Sequence, residues 1–192
     1  MDANIFKGIY KGLVRPQVEY GAPVWSPHGY GHLKHIDILE NVQIRATKMV
    51  PGMPSSYPER LKKLRIPTLA YRRERGDMIQ VYKMLSGSYD KTLPQILEKN
   101  KSHLRGNEKL IAIRPKKDIR KYSFSLRVRK LWNDLPDSVI NASDIEVFER
   151  KLDEYWSNQP LMYDDYKTEI KTQKQLAMEA GSNIKLLKKS MY

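Results

Sequence analysis

Apolar residues in this chain recur mostly at helical spacing. Ile5, Ile9 and Leu13 fall four apart, which predicts a first helix carrying these three on one face. It should stop near Arg15, because Pro16 disfavours helical geometry in the residue before it. Residues 17–27 read as extended or turning. A second helix spans about 32–50, with Leu33, Ile36, Leu39, Val42, Ala46 and Met49 as its inward stripe and Pro51-Gly52 as its stop. A short third helix fits 58–64. Thr68 caps a longer one that runs to Leu85, with Met78, Val81, Tyr82 and Leu85 inward and Gly87 just past its end.

Between 86 and 108 the periodicity is lost, and Gly87, Pro94, Asn100 and Gly106 mark a connection with a boundary near residue 100. Leu110, Ile111 and Ile113 before Arg114-Pro115 predict one short strand, pairing with the stretch around Ile119. Helical spacing then returns with Phe124, Val128, Leu131 and Trp132, ending at Leu135-Pro136. Ser143 and Glu146 have the capping-box pattern that opens a last core helix, with Ile145, Phe148, Leu152 and Tyr155 inward. The predicted fold class is mainly α: a helical bundle with a short β element near residues 109–122. It divides into a helical region over 1–99, a basic region with two helices over 100–163 and a helix-permissive tail over 164–192.

A length of 192 residues with 40% apolar and 30% charged side chains describes a globular chain with a charge-dense surface. No stretch approaches the roughly 18 consecutive apolar residues of a membrane span. The first residues have glycine and lysine where a secretory signal needs an apolar run. The expected location is intracellular, in nucleus or cytoplasm, with no membrane partner. The absence of cysteine removes disulfides, thiol nucleophiles and thiolate zinc sites.

The net charge of +13 is unevenly spread. Residues 101–130 carry 11 basic and 2 acidic side chains, whereas residues 131–192 carry 8 and 11. Such a block is the footprint of a phosphate-binding surface, since each neutralised phosphate releases condensed counterions. A solvated basic face is the bland alternative. The block comprises Arg105, Lys109, Arg114, Lys116, Lys117, Arg120, Lys121, Arg127, Arg129 and Lys130, with Tyr122 placed to stack on a base. Trp132, on the apolar side of its helix, is expected in the core. Arg72 and Arg73, with Arg75, form a second row that either faces phosphate or pairs with Glu74 and Asp77. Arg114-Pro115-Lys116-Lys117 also fits a nuclear import signal.

Other chemistry finds little support. Asp164-Asp165 is the one adjacent aspartate pair, but no apolar strands flank it as they flank polymerase metal ligands. His28, His32 and His35 lack a third-ligand partner of the usual kind, so a surface or helix-start role is favoured over a metal. No nucleophilic triad or glycine-rich phosphate loop is present. No catalytic residue, metal or cofactor is expected.

One resemblance joins these segments. Ile9-Tyr10-Lys11-Gly12-Leu13-Val14-Arg15-Pro16 is followed by Glu19-Tyr20-Gly21-Ala22-Pro23-Val24-Trp25-Ser26-Pro27. Leu39-Glu40-Asn41-Val42-Gln43-Ile44-Arg45-Ala46-Thr47-Lys48, Glu59-Arg60-Leu61 and Tyr71-Arg72-Arg73-Glu74-Arg75-Gly76-Asp77-Met78-Ile79 come next. Then come Arg105-Gly106, Lys109-Leu110, Arg120-Lys121-Tyr122, Arg127-Val128, Leu131-Trp132-Asn133-Asp134-Leu135-Pro136 and Phe148-Glu149-Arg150-Lys151-Leu152-Asp153. In this order they resemble the carboxy-terminal, thumb and post-palm region of jockey-like non-LTR retrotransposon reverse transcriptases. The likeness runs over roughly residues 5–163, and nothing from about Tyr166 onward matches the family.

The resemblance implies a parent with an endonuclease, then polymerase fingers and palm, then this region. That parent nicks DNA and copies its own RNA from the nick. The catalytic aspartates, nucleotide pocket and endonuclease fall outside this chain, which is therefore expected to be non-catalytic alone. Its implied partners are RNA or DNA backbone and the missing palm or another protein. The rival expectation is an inert remnant or a domesticated helical interaction module, with an apolar patch near Ile5, Tyr10, Val24 and Trp25 exposed by loss of the palm.

Overall fold

A computed structural model describes residues 2–28, 30–87, 97–99 and 109–179. The chain is mainly α-helical, as its periodicity predicts. Helix α1 (Ala3–Ile9) passes through a π turn (Tyr10–Val14) directly into α2 (Arg15–Glu19). The helix thus continues through Pro16 rather than stopping before it. In the π turn the Arg15 N–H reaches back five residues to the Tyr10 carbonyl. The wider ring makes room for a proline that lacks an N–H and would crowd the preceding turn. Residues 17–27, expected to be extended, are helical to Glu19 and again in α3 (Ala22–Trp25). Gly21 separates the two pieces with φ of 65°, a left-handed conformation natural to glycine.

After a single 3₁₀ turn come α4 (Leu33–Lys48), α5 (Tyr57–Leu64) and α6 (Leu69–Leu85). Thr68 caps α6, its Oγ1 accepting from the Tyr71 N–H at 3.0 Å. The same hydroxyl donates to the Leu161 carbonyl at 2.6 Å, and the Thr68 N–H to Met162 at 2.9 Å. One residue thereby joins the start of α6 to α11 (Pro160–Tyr163), a helical turn more than ninety residues later.

The expected β element is absent from the described residues, which contain no strand beyond one isolated bridge between Lys99 and Leu110. The cause is visible at Leu110 itself. The Asn133 side chain takes both backbone groups of Leu110, at 2.8 and 2.9 Å, and Arg129 donates to the Ile111 carbonyl at 2.6 Å. Side chains of α8 (Phe124–Asp134) thus satisfy the backbone that a second strand would have paired. Ile119, the proposed partner, falls within the short helix α7 (Asp118–Lys121).

The chain closes with α9 (Asp137–Ile140), α10 (Ile145–Tyr155) and α11. The cap of α10 sits one residue later than the Ser143 pattern predicts. Asp144 accepts from the Val147 N–H at 2.8 Å, and Ser143 donates to Asp144 instead. Asp144→Ala is therefore expected to lower the midpoint of urea denaturation, and Ser143→Ala to lower it by half as much or less. Equal costs would restore the serine as the cap.

The larger core lies between α6, α8, α9, α10 and α11, so it draws on residues from both sides of the 86–108 connection. Phe148 is stacked on Tyr82 at 4.4 Å and on Trp132 at 5.9 Å between ring centres. Trp132 is fully buried, as its position on the apolar face predicts. A smaller cluster of Phe6, Tyr10, Val50, Leu64 and Ile66 joins α1 to the α4–α5 corner.

Two helices turn unexpected faces inward. On α1 and the π turn after it, Phe6 and Tyr10 are buried while Ile5, Ile9 and Leu13 remain 59%, 46% and 66% exposed. On α4, only Ile36 of the expected stripe is fully buried; Val42 and Met49 face outward, and Glu40, Gln43 and Thr47 are 0% exposed. Their polar atoms are met by neighbours. Glu40 accepts from Tyr57 Oη at 2.6 Å and from the Leu69 and Ala70 N–H groups at 3.1 and 3.3 Å. Gln43 accepts from Tyr10 Oη at 2.6 Å and donates to Tyr57 Oη and the Pro67 carbonyl. Arg60 donates to Thr47 Oγ1 and to the Pro54 and Ser55 carbonyls.

Candidate nucleic-acid interface

The basic side chains expected on one surface separate into three groups. Arg114, Lys116, Lys117, Arg120 and Lys121 are exposed, on the segment leading into α7 and on α7 itself. None of them makes an ion pair among the described residues. Lys121 Nζ lies 5.3 Å above the Tyr122 ring, and that ring packs edge-on against His32 at 5.7 Å. Tyr122 is consequently half-buried rather than free on the surface. Lys130, in the second half of α8, is also exposed.

The second group is committed to the fold. Arg127 donates to both carboxylate oxygens of Asp77, at 2.9 and 3.2 Å, and to the Pro23 carbonyl at 3.0 Å. The side chains of this pair are only 6% and 1% exposed. Arg129 is buried against the Ser125 and Ile111 carbonyls. Lys109 donates to the Leu135 carbonyl just past α8 and lies 3.7 Å from Asp137. These three residues serve helix packing in the positions where the sequence offers them to phosphate. Arg105 lies outside the described residues.

The third group is the α6 row, which does not form one phosphate-facing line. Arg72 forms a two-pronged ion pair with Glu19 of α2. Arg75 bridges to Glu149 and Asp153 of α10, and its bond to Asp153 holds the guanidinium firmly protonated. Neither pairs with Glu74 or Asp77. Arg73 turns inward, 5% exposed, and burial lowers its pKa against the opposing charge of Glu40. Its Nη1 is buried without a hydrogen-bond partner.

The histidines part company as well. His32 and His35 lie 5.7 Å apart between ring centres with their planes tilted, whereas His28 is half-buried against α6. Its Nδ1 lies 2.9 Å from the Ser26 carbonyl, and its Nε2 lies 2.9 Å from Glu74 and 3.9 Å from Asp77. His28, Glu74 and Asp77 bring three potential ligand atoms within 4.8 Å of one another. The Arg127 guanidinium on Asp77 already occupies the place a cation would take.

Burial pulls the His28 pKa down, but the Glu74 hydrogen bond and charge outweigh it, so the net shift is upward from 6.5. A histidine raised on folding adds stability that is complete below its unfolded value and is lost as pH climbs through the folded one. His28→Asn is therefore expected to reduce the stability difference between about pH 6 and about pH 8. Urea midpoints at the two pH values measure it, and an unchanged difference would assign the dependence to another group.

The adjacent acids are solvent-facing. Asp164 pairs with Lys62 at 2.5 Å, and Asp165 accepts from the Lys167 N–H at 2.9 Å. Of the apolar patch expected near the amino terminus, Ile5, Val24 and Trp25 are exposed but Tyr10 is buried against Gln43. Tyr20 extends the patch, with its carbonyl accepting from Trp25 Nε1. No helix among the described residues is long and apolar enough to cross a membrane.

Periodicity alone missed a cavity of about 430 Å³ between α4, α6, α8 and the segment 166–170. Arg73, Lys121, Tyr122 and Lys130, all on the predicted list, line it together. No family model matches the sequence, no curated protein matches it, and no solved structure matches its fold.

Proposed function

We propose that this chain is the thumb and post-palm part of a jockey-like non-LTR retrotransposon reverse transcriptase, non-catalytic by itself, that holds RNA or DNA through a basic surface. The ordered sequence resemblance supports the parentage. The observation that carries the binding reading is the exposed row Arg114, Lys116, Lys117, Arg120 and Lys121, cations that no carboxylate neutralises among the described residues. Ammonium and guanidinium groups in such a row contact phosphate oxygens without reading bases.

Reversal of these five charges to glutamate should leave the helical fold intact, because none of them packs in the core. Each phosphate contact contributes about −0.9 to the slope of log affinity against log salt on duplex DNA. The native chain should therefore lose affinity steeply between about 50 and about 200 mM salt, with a slope shallower by ~4 in the variant. Fluorescence anisotropy with duplex DNA and an RNA–DNA hybrid reads both. No binding at low salt by the folded native chain sinks the proposal.

A second reading, a helical protein-interaction module, is favoured by one specific observation. Ile5, Ile9, Leu13 and Val24 leave apolar surface uncovered on α1, the π turn and α3. Stable association with a polypeptide through that face, without nucleic-acid binding, would favour it.

A further inference from the structure

We infer that the cavity between α4, α6 and α8 is a binding site for a phosphorylated nucleoside unit, with Arg73 as its buried phosphate ligand and apolar walls that accept the base. For a strand, this rests on the nucleic-acid reading above, and it adds to that backbone clamp a pocket for one unpaired nucleotide.

Arg73 is the first reason. A guanidinium 5% exposed whose Nη1 has no hydrogen-bond partner among the described residues is an unmet demand, because buried donors normally find acceptors. The residue lines a cavity large enough for a mononucleotide. Nη1 itself lies just below the accessible surface, so an anion in the cavity engages it as the guanidinium swings toward the opening, and then supplies charge-assisted hydrogen bonds.

The charges around the cavity are the second reason. Lys121 and Lys130 at its edge carry no ion pair among the described residues, whereas Lys167 is held by Asp37 and Arg127 by Asp77. Of the two acids on the wall, Glu74 is engaged by His28, and Glu169 is exposed and stands against Arg73, Lys121 and Lys130. The cations left uncommitted outnumber the acids, which selects a negatively charged guest.

The shape of the wall is the third reason. Leu33, Ile36, Leu126 and Leu161 provide an apolar lining, and Tyr122 and Tyr166 add aromatic surface. Apolar walls with a few converging polar groups suit a flat heteroaromatic ring carrying one charged substituent. Lys121 belongs at once to the cavity and to the exposed row, so a strand lying along Arg114–Lys121 leads directly to the opening. Only an unpaired nucleotide can present its base there.

The test uses the full chain with three probes: adenosine 5′-monophosphate, a single-stranded RNA 12-mer on the order of one site size or more, and blunt duplex DNA. Adenosine monophosphate at about ten times its Kd should raise the melting temperature by ~3 °C. Arg73→Gln should remove that rise and weaken the single strand about tenfold or more, while duplex affinity changes less than about twofold. Leu126→Trp fills the cavity from a half-buried wall and leaves every charge in place. It carries the same expectation, so the result does not depend on how Arg73→Gln folds.

Single-strand binding that neither variant weakens, with no effect of the nucleotide, overturns the inference and leaves the backbone clamp standing. A nucleotide-induced rise without binding of either nucleic acid supports the site, identifies a free nucleotide as its ligand and removes the clamp. No response to any probe overturns both.

Discussion

Glu40→Ala is expected to lower the unfolding free energy by about 3–5 kcal/mol, the cost typical of removing one side of a buried charged network. Glu40 belongs to α4 but acts at the start of α6, where its carboxylate accepts from the first two backbone N–H groups. Those groups have no partner within their own helix, and the partial positive charge of a helix start favours an anion there. Alanine would leave the two N–H groups buried and unpaired and the Tyr57 hydroxyl without the acceptor for its proton, and would strip Arg73 of a carboxylate that favours its charge. Burial raises the Glu40 pKa against the lowering effect of Tyr57 and the two N–H groups. Glu40→Gln keeps an acceptor while removing charge, so it should cost clearly less than alanine. Guanidinium denaturation of the three proteins at neutral pH measures the series, and a loss under about 1 kcal/mol for alanine would show the network to be incidental.

Arg127→Ala is the second large effect, again about 3–5 kcal/mol, because it leaves Asp77 buried without its partner. The guanidinium also ties α8 to α3 through the Pro23 carbonyl, so three helices lose a common fastener. Burial raises the Asp77 pKa, and Arg127 works against that rise. Replacing both partners together, as Asp77→Leu with Arg127→Met, should cost much less than the sum of the single changes. Additive costs would mean that the two residues act independently. A variant that stays fully stable yet loses nucleic-acid affinity would return Arg127 to the phosphate-binding set.

The all-helical class was legible because Met78, Val81, Phe148 and Leu152 recur at helical spacing and are all buried. Spacing alone misled where polar residues have partners from distant segments. On α4, Leu39 and Val42 look inward by hydropathy, but Tyr10, Tyr57, Arg60 and the α6 amino terminus make Glu40, Gln43 and Thr47 the buried face. Nothing in the sequence of α4 records those partners. The strand near Leu110 failed for the same reason, since an asparagine 23 residues away takes its backbone groups.

The basic block was legible as a charge excess but not as a surface. In α8, Arg127 and Arg129 precede Lys130 in the same short run, yet the arginines turn to Asp77 and Ile111 while the lysine stays in solvent. Asp77, a carboxylate in the middle of an otherwise amphipathic helix, was the available signal that a nearby arginine would be drawn inward. The cavity beside Arg73 had no comparable signal, because its walls come from four separate stretches of chain.

The clasp between Thr68 and the carbonyls of Leu161 and Met162 bears on how the chain is made. During synthesis the start of α6 emerges long before its partner, and loop closure over that separation is slow relative to local helix formation. Nascent chains arrested near residue 150 should therefore already contain helix, yet remain open to protease around Thr68. Release of the α11 turn from the ribosome then supplies the last contacts that seal the α5–α6 corner.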